Sequence, residues 1–137
     1  MSYNVYRVVS LGVPRNHQAI FVVINADGSG DVFHVTGNIQ EGMTYEHEAR
    51  EPPESSATFI EKRLLGRVSI DQYEQFKSIC KGVAPPKKQF NGPKRLFPKE
   101  PLRRCGEWAD EATQALLSSG ILQAADEQVA QNPEPCE

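Results

Sequence analysis

The order of two hydrophobic patterns along the chain constrains its fold more than any other feature. Short apolar or alternating runs, separated by Gly, Pro and Asp, fill the first half and are typical of β-strands. They predict strands over residues 3–11, 17–24, 31–36, 43–49 and 57–68. Apolar residues at helical spacing then predict one helix after Ser69 and a second over 102–119. Strands that precede helices indicate an α+β fold, with an antiparallel sheet of about four to five strands packed against two helices.

Length and composition indicate one domain. The 137 residues suit a single hydrophobic core, which we expect to span residues 1–125. The polar, proline-containing segment 126–137 is predicted to be a disordered tail. No apolar run reaches the roughly 20 residues that cross a bilayer, and the first residues do not resemble a signal peptide, so we expect a cytoplasmic protein. Three cysteines are too few for a disulfide framework.

Positive charge is concentrated in one segment of an otherwise acidic chain. Residues 81–104 contain eight basic side chains and one acidic one, whereas the whole chain has a net charge of −3. Residues 82–101 are rich in proline and follow no helical or strand period, which predicts a long basic loop. Such a loop favours an anionic substrate or partner. The candidate substrate-binding residues are Lys87, Lys88, Lys94, Arg95, Arg104 and Trp108.

Cys105 is the first candidate catalytic residue. It lies in the first turn of the second predicted helix, where the helix dipole and free N–H groups favour an anion, and Arg103 and Arg104 precede it. These features favour the thiolate, which is the nucleophilic form of cysteine. The alternative is a structural role, because Cys105 also lies on the apolar stripe of its helix and free cysteines are usually buried.

His17 and His34 are candidate partners of this thiol. His17 begins an apolar strand directly after a turn, a position at which side chains line the mouth of a site, and His34 lies within the next strand. Each could instead be a structural histidine. A tight turn at Gly28-Ser29 would pair His34 with Val23 and leave the histidines six residues apart along the strand. A longer loop or a bulge is required to bring them together.

Together the three residues supply a nucleophile, a base and a group that orients the base. Three segments carry a resemblance to lecithin:retinol acyltransferase-like proteins: His17-Gln-Ala-Ile-Phe-Val-Val, Gly30-Asp-Val-Phe-His34-Val-Thr and Arg104-Cys105-Gly-Glu-Trp108. Those proteins are circularly permuted relatives of papain and of NlpC-type peptidases, and their histidine precedes their cysteine. The resemblance implies a small permuted papain-like domain in which Cys105 is the nucleophile, His17 the base and His34 the orienting residue.

The matched segments depart from that family pattern. Arg104 stands where the family usually has Asn, and the loop between the two strands of the hairpin is longer. A desumoylating-type peptidase of the same permuted class also fits the order in which the histidine precedes the cysteine. The substrate class therefore stays open at this point.

The predicted function is a cysteine-dependent hydrolase or acyltransferase that acts on an ester, amide or thioester of a small molecule, lipid or peptide. No cofactor or metal is predicted. The alternative is a non-catalytic binding or scaffold protein that uses the basic aromatic loop 87–99 for an anionic partner such as RNA. A zinc site is a third interpretation, although no short metal-binding spacing supports it. Its ligands would be His17, His34 and Cys105, with Glu46, His47 or Glu48 nearby.

Overall fold

A computed structural model describes residues 1–12 and 16–124 and contains eight strands and two α-helices in those ranges. The strands are β1 (Ser2–Ser10), β2 (His17–Val23), β3 (Gly30–Asn38), β4 (Gly42–Arg50), β5 (Phe59–Ser69), β6 (Phe90–Asn91), β7 (Lys94–Arg95) and β8 (Leu122–Ala124). The helices are α1 (Tyr73–Gly82) and α2 (Cys105–Ser118). No helix in the described ranges is both long and apolar enough to cross a membrane.

Six of the strands form one antiparallel sheet in the order β4-β3-β2-β1-β5-β8. The predicted α+β class is confirmed, with six strands where four to five were expected. The additional strand, β8, is only three residues long and carries no clear alternation. It pairs closely with β5, since a Cβ on Gly66 would lie 2.0 Å from the carbonyl oxygen of Gln123. The predicted tail, 126–137, lies outside the described residues.

Both helices pack on one face of the sheet, which we call the helix face. Phe33 of β3, Phe76 of α1 and Trp108 of α2 are fully buried there, and the rings of Phe33 and Phe76 lie 5.4 Å apart. Trp108 packs against Tyr45 and donates a hydrogen bond from Nε1 to the carbonyl oxygen of Val83 at 3.0 Å. The core of the domain therefore lies between the helices and this face.

The opposite face of the sheet, which we call the open face, carries a smaller apolar cluster. Val8, Ala19, Phe21 and Val32 are buried in it. Alternate residues of a strand point to opposite faces, so His17 lies on the same face as Ala19 and Phe21. The open face therefore holds polar side chains beside its apolar cluster.

The segment before α2 differs from its prediction in two ways. Residues 82–101 were expected to lack strand structure, but β6 and β7 form a small separate hairpin within them. The second helix begins at Cys105, not at residue 102, because the backbone of Arg104 is extended and its N–H donates to Oε1 of Glu107 at 2.7 Å. Cys105 is therefore the first residue of its helix.

Candidate functional site

His17 and His34 are in direct contact across β2 and β3. The two strands pair from Val23 with Gly30 to Ile20 with Phe33, so the loop between them spans residues 24–29. If this register continues by one residue, His34 lies opposite Ala19. His34 is then a diagonal neighbour of His17 on the open face. Nε2 of His17 lies 2.7 Å from Nδ1 of His34. The tight turn that would pair His34 with Val23 is not formed, and the longer loop brings the histidines together.

Burial lowers the pKa of both imidazoles and so favours their neutral forms. It is the main cause that lowers the pKa of His17, with the charge of Arg50 as a smaller contribution. Burial likewise lowers the pKa of His34 to about 4, with the charges of His17 and Arg50 contributing. A neutral imidazole has one N–H donor and one acceptor nitrogen. The hydrogen bond between the rings therefore requires one of them to donate and the other to accept.

The second nitrogen of His34 has no hydrogen-bond partner among the described residues. Its Nε2 is buried and lies 3.8 Å from Oε1 of Glu46 on the neighbouring strand β4. Glu48, two residues further along β4, lies on the same face and accepts a hydrogen bond from Arg50. Two carboxylates thus lie beside a buried imidazole nitrogen.

Cys105 reaches the same end of the sheet from the helix face. It is half-buried at the start of α2, and its Sγ lies 4.0 Å from the carbonyl oxygen of Asn16, the residue before His17. Cys105 and His17 line one cavity of about 270 Å³, together with Arg104 and segment 37–40. No hydrogen bond joins the thiol to either histidine in the part of the chain that the structure describes. The three residues therefore share one end of the sheet, with only the two histidines bonded to each other.

His17 also lines a second, larger cavity. This cavity, of about 560 Å³, lies on the open face between the apolar cluster and segment 50–58, and His34 lines it as well. Gly37 and Met43 line both cavities. His17 therefore stands between the space that contains the thiol and the larger space over the open face.

Three buried polar side chains in the described ranges, Arg7, His34 and Gln89, all support this end of the sheet. Gln89 is hydrogen-bonded to both main-chain groups of Arg103: its Nε2 donates to the carbonyl oxygen at 2.8 Å and its Oε1 accepts from the N–H at 2.9 Å. These two bonds fix the chain two residues before Cys105. His34 is likewise hydrogen-bonded to His17, as Gln89 is to the segment before α2.

Arg7 supports the first turn of α2. It donates hydrogen bonds to Oε1 of Gln18, to Oδ1 of Asp110 and to the carbonyl oxygen of Gly106. Gly106 lies close to Gln18, since a Cβ there would lie 3.0 Å from Nε2 of Gln18 and would push that side chain aside. Arg7 and Gln18 therefore connect the strand that carries His17 to the helix that begins with Cys105.

The sequence did not predict roles for Arg7, Gln18 and Gln89. A charged residue within the apolar run of β1 was the available signal for Arg7, since such a residue must find a buried partner or leave the core. Gln18 alternates with His17 on β2, but nothing in the sequence indicates which strand lies beside it. No signal marks Gln89, because its role depends on the path of the segment around it.

The predicted substrate-binding residues do not form one group. Arg104 lines the cavity that contains Cys105, whereas Trp108 is fully buried in the core. Lys87 contacts Glu100 and the ring of Phe97. Its neighbour Lys88 donates to the carbonyl oxygen of Gln40, which belongs to the cavity wall, and Lys94 and Arg95 form β7.

Comparison with known proteins identifies the family. No curated protein and no solved structure gives a significant match. Residues 5–123 match a family described as "Family of unknown function (DUF6540)", and this range includes both histidines, Cys105 and the three buried polar residues. The chain therefore belongs to the DUF6540 family.

Proposed function

We propose that this protein is a cysteine-dependent hydrolase or acyltransferase in which Cys105 is the nucleophile, His17 the general base and His34 the residue that orients His17. One observation carries the proposal. His17 is hydrogen-bonded to His34 through Nε2, at the wall of a cavity that also contains a cysteine at a helix N-terminus. A base held by a second polar group beside a thiol is the arrangement that nucleophilic cysteine catalysis requires.

In the proposed mechanism His17 is the donor of the hydrogen bond between the two rings. When Nε2 of His17 donates to Nδ1 of His34, the lone pair of His17 lies on Nδ1, the nitrogen that His34 does not contact. That atom can accept the thiol proton. The imidazolium formed in this step is stabilised by His34 and, more weakly, by the carboxylate of Glu46 beyond it.

The cysteine side chain must turn to use this base. Sγ now faces the carbonyl oxygen of Asn16 at 4.0 Å, so catalysis requires the thiol to come within hydrogen-bond reach of His17 in the cavity that both residues line. Catalytic hydrogen bonds are often long before substrate binds. The N–H groups of the first turn of α2 have no acceptors within the helix, so they can stabilise the oxyanion of an attacked carbonyl.

Acyl transfer then proceeds in two steps. The thiolate forms a bond to the carbonyl carbon, the leaving group departs with the proton from His17, and a thioester on Cys105 remains. His17 next takes a proton from water or from another acceptor, whose oxygen or nitrogen attacks the thioester and releases the thiolate. The proposed substrates are small-molecule, lipid or peptide acyl compounds. We place the enzyme in the cytoplasm, because a free thiol nucleophile persists in a reducing compartment.

The surrounding polar residues support the same proposal. Burial of Arg7, His34 and Gln89 is unfavourable unless each is hydrogen-bonded, and all three hold main-chain or side-chain groups next to His17 or Cys105. A fold maintained only by packing would not need three such groups at one end of its sheet. Precise positioning of a base and a nucleophile does need them.

The test is to trap the acyl-enzyme. The protein is incubated with p-nitrophenyl acetate, quenched in acid and digested, and the acetylated peptide is identified by mass spectrometry. We expect acetyl on Cys105 in the wild type and in the control His47→Gln, whose ring stacks on Phe33 of the helix face. His17→Gln should lower the acetylation rate by about 100-fold or more. Equal rates in His17→Gln and His47→Gln would contradict the proposal.

A further inference from the structure

We propose that His34, Glu46 and Glu48 form a binding site for a divalent transition-metal ion of the zinc type. The site lies on the open face where β3 pairs with β4. His34 is directly opposite Glu46 in this pairing, and Glu48 follows two residues later on the same face. One ligand atom from each of the three side chains lies within 4.8 Å of the others. Modest rotation of the two exposed glutamates would bring all three atoms onto one ion.

An unpartnered nitrogen indicates that this cluster is more than two acidic residues on a surface. His34 is only 4% exposed, and its buried Nε2 has no hydrogen-bond partner among the described residues. The ring cannot turn to correct this, because its other nitrogen is bonded to His17 at 2.7 Å. The nitrogen is directed toward the glutamates, with Oε1 of Glu46 at 3.8 Å. A metal ion between them would satisfy all three groups at once.

The chemistry of the ligands selects the ion. One imidazole nitrogen and two carboxylates form a ligand set that suits zinc, whereas magnesium and calcium prefer oxygen ligands alone. Thr36 is bonded to Oε2 of Glu46, which leaves Oε1 facing His34. Arg50 disfavours metal binding, because it is bonded to Glu48 and adds positive charge near the site. Removal of Arg50 should therefore strengthen binding.

Metal binding would have a consequence for His17, and this consequence alone rests on the proposed function. A metal on Nε2 of His34 requires its proton to lie on Nδ1, so His34 must donate to Nε2 of His17. His17 then carries its own proton on Nδ1. That is the nitrogen that would accept the proton of Cys105. The bound ion and the catalytic form of His17 are therefore mutually exclusive, and zinc would act as an inhibitor.

Calorimetric titration of the EDTA-treated protein with Zn²⁺ tests the site itself. We expect one ion per chain, with affinity weakened by about tenfold or more in Glu46→Gln and in Glu48→Gln. The matched control is Glu61→Gln, an exposed glutamate of β5, which should leave the affinity unchanged. Parallel titration with Co²⁺ distinguishes thiolate ligands by their charge-transfer absorption. Three results would each overturn the proposed site. They are a lack of stoichiometric binding, the appearance of thiolate absorption, and an affinity that both glutamate variants leave unchanged.

Nitrogen-15 NMR of the histidines tests the consequence without an activity assay. Zn²⁺ should move the proton of His17 from Nε2 to Nδ1, and the same move should be lost in Glu46→Gln. If zinc shifts the histidine signals and leaves acetylation of Cys105 unchanged, the metal site stands and the role of His17 as base is wrong. If acetylation depends on His17 and zinc shifts no histidine signal, the enzyme proposal stands and the metal site is wrong.

Discussion

Two regions of this domain differ in the polarity of the side chains that they bury. Beneath the helices the buried side chains of the main core cluster are apolar, and they include Phe33, Phe76 and Trp108. At the end of the sheet where β2 and α2 begin, the buried side chains include Arg7 and His34. Packing alone accounts for the first region. It does not account for the second, because buried polar groups lower stability unless every one is satisfied.

The two described cysteines show the same contrast within one residue type. Cys80 of α1 is fully buried in the apolar region, and burial raises the pKa of its thiol to about 12. Cys105 is half-buried at a helix start and lines a cavity with His17. The first thiol is a packing residue that stays protonated. The second is the nucleophile in the proposed function.

The largest loss of folding stability is expected from a substitution in the apolar region. Trp108→Ala removes a fully buried ring and its hydrogen bond to Val83, and should lower the free energy of unfolding by about 3–5 kcal/mol. His17→Gln should cost about 1 kcal/mol, since glutamine can still bond to His34. Urea denaturation measures both. Similar losses in the two variants would remove the distinction between a packing region and a functional one.

A smaller loss of stability is expected from substitution of Gln89. This residue is polar and buried, so it tests the difference between the two regions directly. Gln89→Leu leaves the N–H and the carbonyl of Arg103 without their partners, and should lower the free energy of unfolding by about 1–3 kcal/mol. The matched control is Gln75→Leu on the exposed side of α1, with a change within about 0.5 kcal/mol. Gln89→Leu should also slow acetylation of Cys105, which the control should not.

If Gln89→Leu lowered stability and left the acetylation rate at the wild-type value, Gln89 would be structural only. The hydrogen bonds to Arg103 would then support the fold of segment 82–101 and not the position of the nucleophile. Comparison of the two rates at a temperature at which both variants are folded separates these outcomes.

Much of the fold follows from local patterns in the sequence. The runs that became β1 to β5 and the apolar stripes of α1 and α2 reflect alternation and helical spacing, which neighbouring residues determine. The start of α2 was placed three residues too early. The backbone of Arg104 is extended, so the helix begins at Cys105, and a bond from the distant Gln89 holds Arg103 before it. The pattern of neighbouring residues does not predict the bond between Gln89 and Arg103.

The candidate site was predictable by residue type and less so by geometry. Histidines on adjacent strands and a cysteine at a helix start were visible in the sequence. The register that joins His17 to His34 was not, since it depends on the length of the loop over 24–29. The carboxylates beside His34 depend in the same way on the pairing of β3 with β4.

Alkylation of the cysteines by iodoacetamide as a function of pH tests the central claim that His17 activates Cys105. Mass spectrometry reports each cysteine separately in the wild type and in His17→Gln. The account predicts that Cys105 is alkylated near pH 7, that Cys80 stays unreactive, and that His17→Gln lowers the alkylation rate of Cys105. The same pH profile for Cys105 in both proteins would contradict it.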